Sequence, residues 1–227
     1  MKKEFKPNIF FYGYLSRKLL FKKVAENAYF IKGKVLDFGC GSKPYQSLFS
    51  CNEYIGLDYY GEGHSHKNEQ IDMFYDGVTI PYARNHFDSV FSCQVLEHVY
   101  NFKEMIKELN RVLKPGGTFL LICPFSYSEH ETPADYFRYT SFGIKKVLEE
   151  NGFKIIKQEK IGGISDVIIQ YILSYFSTHV TKKIPIVGGL VEKGLSVILN
   201  LLGITLSFFC RKNSELYLDN LIIAKKV

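Results

Sequence analysis

Short, nearly unbroken apolar runs alternate with segments whose apolar residues recur every three or four positions. Val35–Phe38, Tyr54–Leu57, Phe87–Phe91 and Thr118–Cys123 are of the first kind. Such runs suit strands of a parallel sheet, buried on both faces. Leu15, Leu19, Leu20, Val24 and Ala28 are of the second kind and predict a helix from about Tyr14 to Phe30. Met105, Ile106, Leu109, Val112 and Leu113 predict another from Phe102 to Leu113, stopped by Lys114-Pro115-Gly116-Gly117. A helix over 142–151 is capped by Thr140 or Ser141 and ended by Gly152, and a short one is expected over 45–50. Glu53–Asp58, a short run ending at Ile71-Asp72-Met73, Phe87–Cys93, Phe153–Ile161 and Leu216–Ala224 complete the strands. The alternation is that of an α/β fold.

The first strand runs into Asp37-Phe38-Gly39-Cys40-Gly41, then Ser42-Lys43-Pro44. A strand, a glycine turn and a helix start form the usual nucleotide-like ligand site of such sheets. A dinucleotide fingerprint needs a third glycine, and Pro44 stands there. Asp37 would also repel a pyrophosphate, whereas it suits a cation such as an α-amino group. A nucleoside bearing an amino acid, S-adenosylmethionine (SAM), fits better. Asp58 lies at the end of the second strand, where an acid can accept hydrogen bonds from both ribose hydroxyls.

The D-x-G-x-G core resembles motif I of the class I SAM-dependent methyltransferases. Phe87-Asp88-x-Val90 followed by Leu96-Glu97-His98, and Arg111-Val112-Leu113-Lys114-Pro115-Gly116-Gly117, resemble the methyltransferase-11 subgroup. The resemblance covers roughly residues 33–160 and 215–226. It implies a Rossmann-like, seven-stranded, mostly parallel sheet with helices on both faces, and SAM as cofactor. It also implies that Asp72 faces the adenine amino group with Met73 packed on the ring. Asp37, Gly39, Gly41, Asp58, Asp72, Met73 and Gln94 are the expected cofactor residues. The Leu96-Glu97-His98 triplet belongs to enzymes with unrelated substrates, so packing accounts for His98 at least as well as catalysis does.

After the fifth strand, residues 124–140 carry His130, Asp135, Tyr136 and Arg138 in a dense polar and aromatic loop. In the resembled family the equivalent loop faces the methyl group and the acceptor. A histidine titrating near neutrality is a suitable base, so His130 is the first candidate. Asp135 would orient it or act as base itself, and Arg138 would clamp an anionic acceptor. The competing reading is structural: Asp135 and Arg138 simply pair, and the tyrosines pack the loop.

About 50 strongly apolar residues intervene before the last strand, with one helix expected from Ser165 to about Val180. Gly194–Cys210 then holds no charged residue. This is the lower limit for a membrane span, and Asn200 and Gly203 weaken that case. A lid, a monotopic membrane contact through 164–210 and a dimer face all stay open. The expected domain is single, 1–227, with an N-terminal helical cap (1–32) and a helical insertion (about 162–213).

Composition changes little. With 46% hydrophobic and 23% charged residues the chain is ordinary globular protein. Eight Lys/Arg against two Glu in residues 1–32 give a basic arm, read as a solvated helix face, and no nucleic-acid partner is expected. Arg17, Lys18, Lys22 and Lys23 interrupt the early apolar pieces, so no signal peptide is expected. Cysteines 40, 51, 93, 123 and 210 form no C-x-x-C pair. They point to a reducing compartment, hence the cytoplasm or the inner face of its membrane. His64 and His66 lack a third ligand, so no metal is expected. The expected function is methyl transfer from SAM to O or N of a small-molecule, saccharide or lipid-linked acceptor. The alternative is a SAM-binding, non-catalytic scaffold associated with a membrane.

Overall fold

The computed structural model describes residues 7–61, 69–209 and 215–227; His64, His66 and Cys210 lie outside them. Seven strands form one sheet: β1 (Lys34–Phe38), β2 (Glu53–Tyr59), β3 (Met73–Tyr75), β4 (Phe87–Cys93), β5 (Leu113–Pro124), β6 (Phe153–Ile161) and β7 (Asp219–Lys226). Their order is β3-β2-β1-β4-β5-β7-β6. The ladders β3–β2, β2–β1, β1–β4 and β4–β5 are parallel, with Leu36 opposite Ile55 on one side and Val90 on the other. The fold is the expected α/β one.

The helices are α1 (Tyr14–Asn27), α2 (Phe102–Val112), α3 (Ser141–Glu150), α4 (Ile164–Tyr175) and α5 (Gly188–Phe209). The Thr140 hydroxyl accepts from the Gly143 N–H at 3.1 Å and caps α3, while Gly152, at φ +78°, lets the chain leave it. Only a single 3₁₀ turn, Gln46–Leu48, occupies the short helix expected after β1.

The chain divides into two compact units. One comprises Met1–Lys23, Ser126–Ser128 and Lys160–Asp219; the other comprises Val24–Phe125, Glu129–Glu159 and Asn220–Val227. The expected cap and insertion fall largely in the first. There α4 continues as a π turn, Phe176–Val180, before α5. Leu15 packs with Ile169 and Leu173, and Gly203 allows the approach, since a Cβ there would lie 2.5 Å from Leu15 Cδ1. Asn200, fully buried, donates to the Ile9 and Phe11 carbonyls at 2.9 and 3.1 Å.

In the second unit, Leu36, Phe38, Val90, Phe119 and Ile222 of the sheet pack with Met105, Ile106 and Leu109 of α2 and with Ile144 and Leu148 of α3. Asp88 ties strand starts together: it accepts from the Lys34 N–H at 2.8 Å and from Lys114 Nζ at 2.6 Å. Lys226, buried at the end of β7, donates from Nζ to the Asn110 and Leu113 carbonyls at 2.6 and 2.7 Å, so a cation closes the C-terminal end of α2.

Arg111 of α2 pins the loop after β3. Its guanidinium donates to the Ile80 and Tyr82 carbonyls at 2.8 Å and to both Glu108 oxygens at 2.8 Å, while Glu108 accepts from the Ile80 N–H at 3.0 Å. Arg111→Met removes these charge-assisted bonds. The variant is expected to lose on the order of 1.5–3 kcal/mol of unfolding free energy, measured by urea denaturation at unchanged m-value.

Candidate functional site

The parallel strands β1, β2, β3 and β4 end on the same side, and the glycine turn after β1 opens a cavity there. Gly39 adopts φ +72°, and a Cβ on it would lie 2.2 Å from Val95 Cγ2. Only glycine lets these two segments close up. Gly41, at φ +44°, donates its N–H to Asp58 Oδ2 at 2.7 Å, and Tyr59 N–H meets Oδ1 at 2.8 Å. Two backbone donors thus fix the Asp58 carboxylate at the end of β2. The cavity measures about 640 Å³, within the ordinary range for a cofactor site.

Phe38, Gly39, Gly41, Asp58 and Gln94 line it. Gln94 stands at φ +58° just past β4, with its N–H on the Ile122 carbonyl at 2.9 Å. Asp37 does not line the cavity. It lies buried beneath the turn, accepting from the Tyr54 hydroxyl at 2.6 Å. Burial pushes its carboxyl up to about 7; the Tyr54 hydrogen bond works against that shift, and the Asp58 charge adds to it.

Asp72 and Met73 are placed differently from the expectation. The third strand begins at Met73 rather than ending there, so Asp72 sits at its far end, away from the cavity. Its carboxylate accepts from Lys43 Nζ and from the Gly56 N–H, which hold its pKa below the usual range although burial opposes them. The acid at the cavity end of β3 is Asp76, and Tyr75, Gly77 and Val78 line the wall with it. The Val78 and Thr79 N–H groups bond Asp76 Oδ1 at 2.8 and 2.7 Å and keep it ionised. The Asp76-Gly77 pair after an aromatic run was the available sequence signal, because Asp-Gly marks a turn.

The opposite wall comes from the turn Leu96–His98, from Tyr100 and Asn101, and from the segment after β5. That segment is strapped to the turn: the Tyr136 N–H bonds the Glu97 carbonyl at 2.8 Å, and the Tyr139 hydroxyl bonds the Leu96 carbonyl at 2.7 Å. His98, Glu131 and Tyr136 reach the cavity. His130 does not line it, but its Nε2 lies 3.2 Å from His98 Nε2. Asp135 and Arg138 face each other instead of the cavity, with bonds of 2.6 and 2.7 Å. Burial would raise the Asp135 carboxyl, yet Arg138 and the His130 N–H bring it down to about 2. No sequence signal marked Tyr100, Asn101 or Glu131 as cavity residues.

Residues 36–121 match the family described as "Methyltransferase domain". Over those residues the chain is similar to the class I SAM-dependent methyltransferases. The chain is 29% identical over 133 residues to a Mycolicibacterium smegmatis protein named "Probable S-adenosylmethionine-dependent methyltransferase", covering 53% of this chain and 52% of that one. It is 31% identical over 112 residues to the demethylmenaquinone methyltransferase of Staphylococcus saprophyticus, covering 44% and 47%. The chain thus spans about half the length of these curated relatives. Its fold is similar to the solved structure of a SAM-dependent methyltransferase from Archaeoglobus fulgidus, with a TM-score of 0.57, 18% identity, and 92% and 94% of the two chains covered.

S-adenosylmethionine is the cofactor named for the M. smegmatis relative, and the residues of this cavity fit it. Gly39 and Gly41 bring bare backbone to the cavity wall and Asp58 offers fixed acceptor oxygens for a diol, while Asp37 lies behind the turn.

Asp37 makes stability pH-dependent. Its folded-state pKa lies above the unfolded value, so its contribution is full below the unfolded pKa and is lost as pH rises through about 7. Asp37→Asn removes this term. The variant is expected to gain stability relative to wild type between about pH 5 and about pH 8, measured by parallel urea titrations; parallel curves would refute the assignment.

Proposed function

We propose that this chain transfers the methyl group of SAM to an oxygen or nitrogen of a small-molecule, saccharide or lipid-linked acceptor. The observation that carries this reading is one continuous cavity joining the glycine turn and Asp58 to a polar wall of His98, Glu131 and Tyr136. Bound SAM supplies a methyl carbon activated by a positively charged sulfur. The chain's own task is positioning and proton handling, and positioning can supply much of the rate. Asp58 and Asp76 orient the nucleoside end, and Gln94 stands between the two ends. On the acceptor side, Tyr100 and Tyr136 meet edge to face at 5.4 Å and flank the mouth. His98 and Glu131 are the wall groups able to hold the acceptor's proton. Asp135 and Arg138 support that wall from behind, since Asp135 anchors the His130 backbone at 2.9 Å. A relative named demethylmenaquinone methyltransferase supports a small-molecule acceptor.

The acceptor's amphiphilic character has separate support. The helix α5 is long and apolar enough to cross a membrane by length and composition, and only 17% of its most apolar window is buried. Leu190, Ile198, Leu201 and Phe208 stand exposed on it, while Asn200 and Gly203 are buried. A peripheral contact of this helix with the cytoplasmic membrane face is the reading these residues favour, because they leave a one-sided apolar surface.

Asp58→Ala is expected to weaken SAM binding about ten- to a hundredfold by calorimetry. Glu131→Gln should leave SAM affinity intact and lower formation of S-adenosylhomocysteine on a panel of hydroxyl and amino acceptors by about a hundredfold. Tight SAM binding with no turnover on the whole panel would favour the scaffold alternative. For the membrane contact, wild type should float with phosphatidylglycerol-containing vesicles and Leu201→Ser/Phe208→Ser should not; equal flotation would count against it.

A further inference from the structure

His98, on the cavity wall, and His130 behind it turn their Nε2 atoms toward each other. His98 Nδ1 lies 2.7 Å from the Ala134 carbonyl. A carbonyl only accepts, so Nδ1 carries the hydrogen, and the neutral ring presents a lone pair at Nε2. His130 Nδ1 faces Asp135 Oδ2 at 3.4 Å, and a carboxylate likewise only accepts. In the tautomer with its hydrogen on Nδ1, which that carboxylate favours, His130 also presents a lone pair at Nε2. The two Nε2 atoms are 3.2 Å apart. In that tautomer pair the two nitrogens stay together only around a proton or a metal cation, whereas an Nε2–H on His130 would make a direct hydrogen bond.

Donation of the rear ring N–H to a carbonyl or carboxylate is how proteins orient metal-binding histidines. The spacing agrees as well: two nitrogens on one tetrahedral ion at ~2.0–2.1 Å stand roughly 3.4 Å apart. A third donor converges on the same place. Glu97 is fully buried, and ligand atoms from Glu97, His98 and His130 lie within 4.8 Å of one another. Glu131 Oε2 lies 3.9 Å from His98 Nε2 on the cavity side.

We infer that Glu97, His98 and His130 hold one divalent metal ion of the zinc class. Two imidazoles and one carboxylate form a donor set for such ions, and they leave coordination positions open. His98 and Glu131 both line the cavity, so an ion held by His98 would lie beside it. An acceptor oxygen bound there would become more acidic. Glu131 is then the wall group left to take its proton. This use of the ion rests on the methyl-transfer reading; the binding of the ion does not. A proton shared between the two rings is the competing occupant, and it would need only the histidine pair, without Glu97.

Chelator-treated full-length protein is titrated with Co²⁺ and then with Zn²⁺. The result expected is about one ion per chain with the visible absorption of Co²⁺ bound by nitrogen and oxygen, bleached by Zn²⁺. His98→Asn and His130→Ala should each lower the affinity about a hundredfold or more, beyond the loss that an orienting residue alone produces. Asp58→Ala should bind Co²⁺ normally while losing SAM, which separates the two sites. Wild type that binds SAM yet takes up no ion at micromolar concentration overturns the inference, and so does Co²⁺ binding unchanged in both histidine variants. An ion bound as expected, with no methyl transfer to any acceptor, would leave this inference standing and remove the catalytic reading alone.

Discussion

The close approach of Gly39 to Val95 is the contact on which the rest of this molecule's working end depends. A side chain at position 39 would meet Val95 at 2.2 Å, so the segments leaving β1 and β4 come together only because one of them has none. Their approach brings the ends of adjacent parallel strands into one rim. Gly41 then reaches Asp58, which links β1 to β2 through a backbone N–H and a carboxylate. Gln94, just before Val95, adopts φ +58°. The cavity is therefore a product of strand order and one tight turn, with the loops adding only its outer wall.

How far this was legible in the sequence follows from the range of each interaction. Strands β1, β4 and β5 are buried on both faces, so their apolar runs stood out, and the glycine turn after β1 marked the ligand end. Asp58 could be placed because it closes a strand at a telling distance from Gly39. Asp72 could not be told from Asp76 by spacing, since both flank a strand of only three residues. What separated them was long-range: Lys43 and the Gly56 N–H claim Asp72, while Asp76 closes the strand on the cavity side.

The acceptor loop shows the same limit. Its residue types announced chemistry, but Asp135 and Arg138 are spaced to satisfy each other, and that local pairing prevails. The Leu96–His98 turn owes its geometry to a partner some 40 residues away, through the bonds from Tyr136 and Tyr139. Nothing near Glu97 or His98 in the chain indicates that His130 will stand beside them. Likewise the apolar stretch around α5 gave no hint of how Asn200 is used, because its bonds run to Ile9 and Phe11.

The strand order carries a consequence for biosynthesis. In the finished sheet β6 neighbours β7 alone, and β7 fills the place between β5 and β6. A nascent chain can pair β1 through β5 as they leave the ribosome, but β6 then lacks β7, its neighbour in the finished sheet. It must wait while residues 162–218, with the exposed apolar face of α5, are translated ahead of its partner. For that interval the emerging polypeptide offers both an unpaired strand and a sticky helix, the two features that chaperones bind. Completion of the sheet is therefore a late event of synthesis, and the most vulnerable moment in this protein's life precedes its first encounter with a cofactor.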